Sequence, residues 1–367
     1  MGLLEKKLSS AQIIILGFAA VILLGSFLLM LPISTQDGQG STFTDALFTA
    51  TSAVCVTGLV VQDTATYWTT FGQVVVISLI QIGGMGVVTV AVAVALVSGK
   101  KISLKQRSTM QEAISAPKVG GIVRLTGFVL EMTFIFEALG ALIMAPSFIR
   151  EFGIAKGIWY GVFHSISAFC NAGFDLMGIR QQYSSLTSFV GDPFVNFAIM
   201  ALIVIGGIGF MTWDDIKTNG LKWKRYRMQS KVILTTTALL ILIPAAYFFF
   251  FEFSDAPLNE RIWSSFFQSV TPRTAGFNTV DLTTISETGC MIMIALMLIG
   301  GSPGSTAGGM KTTTFAVMLS NAVSVFRRRE HTHFFGRRIS SDTLRNAATI
   351  FMMWAAAPSA IWKIFRW

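Results

Sequence analysis

Val162-Phe-His-Ser-Ile-Ser-Ala-Phe-Cys-Asn-Ala-Gly-Phe174 decides the reading of this chain, because the same pattern occurs three times. Leu47-Phe-Thr-Ala-Thr-Ser-Ala-Val-Cys-Val-Thr-Gly-Leu59 precedes it and Ser265-Phe-Phe-Gln-Ser-Val-Thr-Pro-Arg-Thr-Ala-Gly-Phe277 follows it. The three align without gaps on Gly58, Gly173 and Gly276, which are 115 and 103 residues apart. Each glycine is followed 24 to 33 residues later by a pair, Gly83-Gly84, Gly206-Gly207 or Gly300-Gly301. Self-similarity at a fixed period marks a fold built from copies of one unit. The unit here reads as span, short half-helix, small-residue turn, span.

The surroundings place that unit in a membrane. Of 367 residues, 53% are hydrophobic and 13% charged, against about 25% charged in soluble domains. This excludes disorder and argues against a soluble enzyme. Spanning helices need about 20 apolar residues, and clear candidates cover 11–31, 71–97, 122–144, 194–212 and 232–253. Two less regular ones cover 290–326, interrupted by Gly-Ser-Pro-Gly-Ser-Thr-Ala-Gly-Gly, and 347–364. The first follows Lys6 and Lys7 but is too long for a cleaved signal, and reads as a retained anchor. The net charge of +9 does not imply nucleic acid, since that requires a basic face on a polar domain. Of 28 Lys and Arg, 19 lie in 1–10, 98–121, 213–231 and 326–345, and none in 33–70. The positive-inside rule makes those four regions, the N-terminus included, cytoplasmic. Asp37, Asp45, Asp63, Asp175 and Asp281 then face outward, where they serve equally to gather cations and to solubilise loops. Cys55, Cys170 and Cys290 are an odd number in apolar or Gly-rich surroundings and suggest no disulfide framework.

The half-helices, roughly 43–54, 157–169 and 260–270, are too short to span and enter from outside. Irregular backbone at membrane depth survives only when buried in protein or lining a wet cavity. A turn after such a helix offers carbonyl oxygens beside the negative end of the helix dipole, and a cation can exchange its hydration shell for them. The candidates are the carbonyls of Val56, Thr57 and Gly58, of Asn171, Ala172 and Gly173, and of Thr274, Ala275 and Gly276. The plain alternative is close helix packing at the glycines; three glycines in register behind half-helices favour an ion filter.

Residues 300–309 hold five Gly and one Pro, too many for a helix interior. The helix breaks there, or is simply kinked. A Walker A reading of Gly304 to Thr312 fails, because Met310 separates Gly309 from Lys311 and no strand precedes the loop. Lys311 is costly at membrane depth, and is expected to reach the cytoplasmic mouth or to act on the break. Glu131 and Glu137 lie six apart in an apolar span and point to different faces, with structural hydrogen bonding the favoured role. Arg273 is expected to brace the third turn from behind, against Asp281 or another carboxylate. His331 and His333 lack a third metal ligand. Arg327-Arg-Arg329 and Arg337-Arg338 suit anionic lipid or an acidic partner.

These turns, with Gly300-Gly-Ser-Pro-Gly-Ser-Thr-Ala-Gly-Gly-Met-Lys-Thr-Thr-Thr314, resemble the Trk/Ktr/HKT potassium transporter superfamily, in particular the membrane subunit of bacterial Ktr systems. The resemblance covers about residues 10–354. It implies a four-repeat pore passing K⁺, a homodimer, and a KtrA-like cytoplasmic ring that binds ATP or ADP. It also implies an intramembrane gate at Gly300, Gly301, Ser302, Pro303, Gly304, Ser305, Thr306, Ala307, Gly308 and Gly309, with Lys311 beside it. A glycine at position 58 goes, in that family, with potassium permeation rather than a sodium-only pore.

The expectation is therefore an all-α integral membrane protein of the plasma or inner membrane, in contact with lipid and not an enzyme. Pore repeats occupy 1–97, 122–212 and 232–326, cytoplasmic loops 98–121, 213–231 and 327–345, and the start of a fourth repeat 346–367. The expected function is translocation in a K⁺ uptake system, with Na⁺ a candidate coupled ion and no organic cofactor. A proton-coupled small-solute carrier, a membrane-embedded enzyme and a non-conducting assembly subunit are the alternatives; few intramembrane acids or histidines speak against the first two. The repeat spacing predicts a fourth filter glycine near position 385, past Trp367, so a truncated form that does not by itself support selective uptake is expected.

Overall fold

A computed structural model describes residues 9–97, 102–114 and 120–364. Lys6, Lys7, Trp367 and parts of the loop read as 98–121 (98–101 and 115–119) lie outside the described residues. Helix α1 (Ser10–Leu29) starts at a capping box between Ser9 and Gln12. Half-helix α2 (Phe43–Val54) is capped by the Thr42 hydroxyl, which accepts from the Asp45 N–H, with the Asp45 charge in the first turn. A one-turn helix α3 (Thr64–Tyr67) precedes α4 (Thr70–Met85) and α5 (Val87–Val97). The amphipathic α6 (Leu104–Ile114) leads to α7 (Ile122–Phe152), half-helix α8 (Ile154–Phe169), α9 (Pro193–Gly207) and α10 (Phe210–Asn219). The third unit comprises α11 (Met228–Tyr247) with a π turn over Phe248–Glu252, half-helix α12 (Leu258–Val270), α13 (Glu287–Leu298) and α14 (Thr312–Phe326). A small hairpin of β1 (His333–Phe334) and β2 (Arg337–Arg338) precedes α15 (Ser341–Ile364).

The fold is all-α and membrane-embedded. Three described helices are long and apolar enough to cross a bilayer, and five spans result if each bent pair is counted as one. Leu24, Phe27, Leu142, Phe194, Phe251 and Met291 are more than half exposed. Such an apolar surface suits lipid and would aggregate in water. The half-helices occupy the interior: Ala50 and Ala53 of α2, Phe163, His164, Ser167 and Phe169 of α8, and Ser265, Phe267 and Gln268 of α12 are fully buried. The long helices surround them.

Three expected spans differ in detail. The run 71–97, read as one span, is bent by 99° between Thr70–Met85 and Val87–Val94. The run 194–212 is bent by 97° between α9 and α10. The cause is local: Gly86 at φ 84° and Gly209 at φ 89° leave the right-handed region, which glycine does without steric cost. The span read as 122–144 continues through Pro146 to Phe152, at 1.5 Å per residue roughly 46 Å, so it outreaches the hydrocarbon. It ends where Gly153, at φ 80°, reverses the chain into α8.

Candidate ion pathway

The first two half-helices end in the same way, and the third, which stops earlier at Val270, reaches the same turn geometry. Cys55 and Cys170 close α2 and α8 in helical geometry, and the next residue swings to positive φ: Val56 at 55° and Asn171 at 58°, matched by Thr274 at 71° in the third turn. Two residues on, Gly58, Gly173 and Gly276 are again at positive φ, 76°, 72° and 87°. Left-handed backbone at a non-glycine residue is uncommon; here it occurs at three equivalent positions. The turn donors point back into the half-helices, Thr57 N to Ser52 O (2.9 Å), Ala172 N to Ser167 O (2.8 Å) and Ala275 N to Thr271 O (3.0 Å). The acceptors do not follow. Among the described residues, none of the nine carbonyl oxygens from Val56–Gly58, Asn171–Gly173 and Thr274–Gly276 accepts a hydrogen bond. The next carbonyls do: Ser167 Oγ donates to Phe174 O (2.7 Å) and Thr271 Oγ1 to Phe277 O (2.6 Å).

The turns lie side by side. A methyl group built on Gly58 would fall 2.5 Å from the Ala172 carbonyl oxygen, and one on Gly173 would fall 2.5 Å from that of Ala275. Between the third turn and the first is a cavity of about 440 Å³, lined by Cys55, Thr57, Thr274, Gly276, Met297 and Gly309 among others.

The break between α13 and α14 forms a loop beneath the second and third turns. Its ends are zipped by Gly300 N to Met310 O (3.0 Å) and Gly301 N to Gly308 O (3.2 Å). Its middle is docked on the bend of the second repeat, through Ser302 N to Gly207 O (2.9 Å), Thr306 N to Gly206 O (3.2 Å) and Phe210 N to Gly304 O (2.7 Å). Gly304 and Gly309 take positive φ, and Ser305 Oγ donates to Ser302 O. Gly304 and Thr306 also line a second cavity of about 210 Å³ with Gly83, Gly86 and Ile114. The Lys311 ammonium donates to Ala307 O at 2.9 Å and ties the end of the loop back onto it. Arg273 is buried, and its bond, long at 3.5 Å, goes to Gly300 O rather than to Asp281. Asp281 is occupied by Thr283 N and Oγ1.

The glycine pairs serve close approach: a side chain on Gly83 would run into Val54 O, and one on Gly206 into Phe169 O, the last residues of two half-helices. Several contributors gave no local signal. His164 is fully buried in α8, with Nδ1 against Tyr160 O (2.7 Å) and Nε2 accepting from Leu176 N (3.3 Å). Glu137 is buried with Oε1 unpartnered, while Glu131 is exposed, as their spacing suggested. Among the described residues no group of His, Cys, Asp and Glu has metal-site geometry, His331 and His333 included. Asp63 accepts from Ala65 N, Thr66 N and Tyr183 N, joining loops of the first and second repeats. Burial lifts the Asp175 carboxyl from 3.8 to about 6, with the Met177 N–H pulling it down and the Asp63 charge pushing it up. The Gln39 N–H holds Asp37, and the Thr283 N–H holds Asp281, below the ordinary carboxylate value.

This arrangement has known counterparts. Residues 8–357 match the family model described as TrkH, cation transport protein. The potassium/sodium uptake protein NtpJ of Enterococcus hirae is 39% identical over 354 residues, covering 95% of this chain and 77% of that protein. The Ktr system potassium uptake protein B of Bacillus subtilis is 39% identical over 350 residues, 94% of this chain and 77% of that one. In fold, the chain superposes on the crystal structure of the potassium transporter TrkH from Vibrio parahaemolyticus with a TM-score of 0.67, at 19% identity, covering 92% of this chain and 68% of that chain. With its repeated units of span, half-helix, turn and broken return helix, the chain belongs to the TrkH family of cation transport proteins, a family of transporters and not of enzymes.

Proposed function

We propose that the chain is the ion-translocating subunit of a K⁺ uptake system in the cell membrane, with its N-terminus in the cytoplasm. One observation carries the reading: three touching turns present nine carbonyl oxygens without hydrogen-bond donors. Alternating hand along each turn, positive φ at the first and third residues, permits successive carbonyls to face one side. Such oxygens replace the water shell of a monovalent cation, and the half-helix dipoles add negative potential at the same point. No catalytic side chain or resident cofactor enters this step. The membrane potential drives the flux, and Na⁺ is a coupled or competing ion.

The loop over Gly300–Gly309 is the gate in this reading. It lies in contact with the second and third turns, and five glycines permit a second conformation. The Bacillus subtilis relative is named as a protein of a Ktr system, which supports a partner; we assign a homodimer and a KtrA-like cytoplasmic ring binding ATP or ADP. The exposed Arg327, Arg328 and Arg329 offer an anionic lipid surface or such a ring a contact.

The test is rubidium uptake and growth at low K⁺ in a strain lacking K⁺ uptake, supplied with a KtrA-like partner. Uptake that is lost with Gly58→Ser or Gly173→Ser, at unchanged membrane abundance, supports the reading. Uptake indifferent to both substitutions overturns it.

A further inference from the structure

Three residues occupy the same left-handed position in the three turns, Val56, Asn171 and Thr274, and only one is tied to the loop by a side-chain hydrogen bond among the described residues. Val56 has no polar side-chain atom, and the Thr274 hydroxyl is buried without a partner. Asn171, by contrast, is fully buried, and its Nδ2 donates to Thr306 Oγ1 at 2.9 Å across 135 residues of sequence. The Thr306 hydroxyl in turn donates to Phe169 O at 2.8 Å, the last residue of half-helix α8. One hydroxyl thus bridges a loop residue, a turn side chain and the carbonyl just before the turn. The space it occupies exists because position 206 lacks a side chain: a methyl group there would lie 2.7 Å from Thr306 Oγ1.

We infer that Thr306, acting through Asn171, is a specificity-determining positioning residue: the hydroxyl of a loop outside the three turns sets how well the second turn discriminates K⁺ from Na⁺. The inference rests on the reading of the turns as the cation pathway and goes beyond gating, since it assigns the loop an effect on ion choice and not only on flux. The physical reason is constraint. An asparagine side chain pinned at its amide restricts the backbone that carries the Asn171 and Ala172 carbonyls, and discrimination between ions depends on how firmly such oxygens are placed. The third turn meets the loop through a longer bond, 3.5 Å from the Arg273 guanidinium to Gly300 O, made by the neighbour of Thr274 and not by Thr274 itself, and among the described residues no side-chain bond joins the first turn to the loop, so the effect centres on the second. Asn171 tolerates positive φ better than most residues, so the pin acts on a backbone state that the sequence already permits.

The experiment measures KM for rubidium uptake and its inhibition by Na⁺ in cells making the full chain with its partner, together with the thermal stabilisation of the purified chain by K⁺ and by Na⁺. Thr306→Val removes the hydroxyl and keeps the shape, Thr306→Ser keeps the hydroxyl, and Asn171→Gly keeps the backbone state and removes the amide. The expected result is a three- to tenfold loss of K⁺ preference in Thr306→Val, the factor one net hydrogen bond sustains. Thr306→Ser should stay within about twofold of the parent, and Thr306→Val should add nothing on the Asn171→Gly background, as coupled residues in a double-mutant cycle behave. Loss of fold would reduce signal for both ions alike and would not survive Ser rescue; if Thr306→Val does not accumulate, Thr306→Ala carries the same comparison. Unchanged K⁺ preference in the hydroxyl-free variant, or additive effects with Asn171→Gly, overturns the inference. Failure of the underlying pathway reading shows differently, as a parent chain whose ion preference is untouched by Gly173→Ser.

Discussion

Gly173 faces the backbone carbonyl of Ala275 so closely that a methyl group on it would lie 2.5 Å from the oxygen. Gly58 stands in the same relation to Ala172. Neighbouring turns therefore meet backbone to backbone, with no side chain between them. Any Cβ at these positions meets a carbonyl oxygen and a left-handed φ together, the latter alone costing about 1–2 kcal/mol. Gly58→Ala and Gly173→Ala are each expected to reduce cation uptake at least tenfold while the chain still inserts, as read by membrane abundance and rubidium flux. Parent-level uptake in either variant would contradict the packing described.

The two bends offer a matched pair. Gly86 and Gly209 have nearly the same φ, yet a methyl on Gly86 finds its nearest neighbour at 3.8 Å, while one on Gly209 meets Pro303 O at 2.6 Å. Gly86→Ala is expected to cost about 1 kcal/mol, the strain of left-handed backbone. Gly209→Ala should cost at least about 2 kcal/mol and disturb the loop as well. Thermal unfolding of the detergent-solubilised chain measures the order; equal losses would argue against the docking of Pro303 and Gly304 on α10.

Cys55 is exposed and lines the 440 Å³ cavity beside the first and third turns, whereas Cys170 is buried. A small cationic methanethiosulfonate is expected to label Cys55 first and to block uptake, with K⁺ slowing the reaction. Cys55→Ser should abolish the block. Labelling that leaves flux unchanged would place this cavity off the ion path.

Asp175 gives a pH dependence of defined sign. Its folded value of about 6 lies above the ordinary 3.8, so the folded state binds the extra proton between those values and stability falls as pH rises through that window. Asp175→Asn removes a charge that burial penalises and is expected to raise the stability at pH 7 by at most about 2 kcal/mol, less than the full shift would give because the side chain keeps some access to solvent. The gain should vanish below about pH 4. A variant equally stabilised at pH 4 and pH 7 would point to packing rather than charge.

Much of this was legible before the structure. The half-helix read at 43–54 is α2 (Phe43–Val54) to the residue, because a Thr42 cap, a first-turn Asp45 and a closing small-residue turn are all local signals. The second half-helix begins three residues earlier than read, at Ile154, because Gly153 rather than a polar cap ends the helix before it. The bends at Gly86 and Gly209 escaped the reading, since hydropathy is continuous through them and glycine in a membrane helix ordinarily means packing. Their signal was present as a third glycine shortly after each pair, Gly86 after Gly83-Gly84 and Gly209 after Gly206-Gly207. The nine nominated turn residues converge as three adjacent turns. The Asn171 to Thr306 bond depends on how the third repeat packs on the second, and the Arg273 bond to Gly300 and the Lys311 return to Ala307 depend on how the broken helix folds back within the third, which no local pattern encodes.

The most direct measurement is the anomalous diffraction of crystals of the chain grown in rubidium or thallium. The account predicts peaks ringed by the carbonyls of Thr57, Gly58, Ala172, Gly173, Ala275 and Gly276, lost in Gly173→Ser. Peaks elsewhere in the protein, with these six oxygens facing no cation in a chain that still transports, would contradict it.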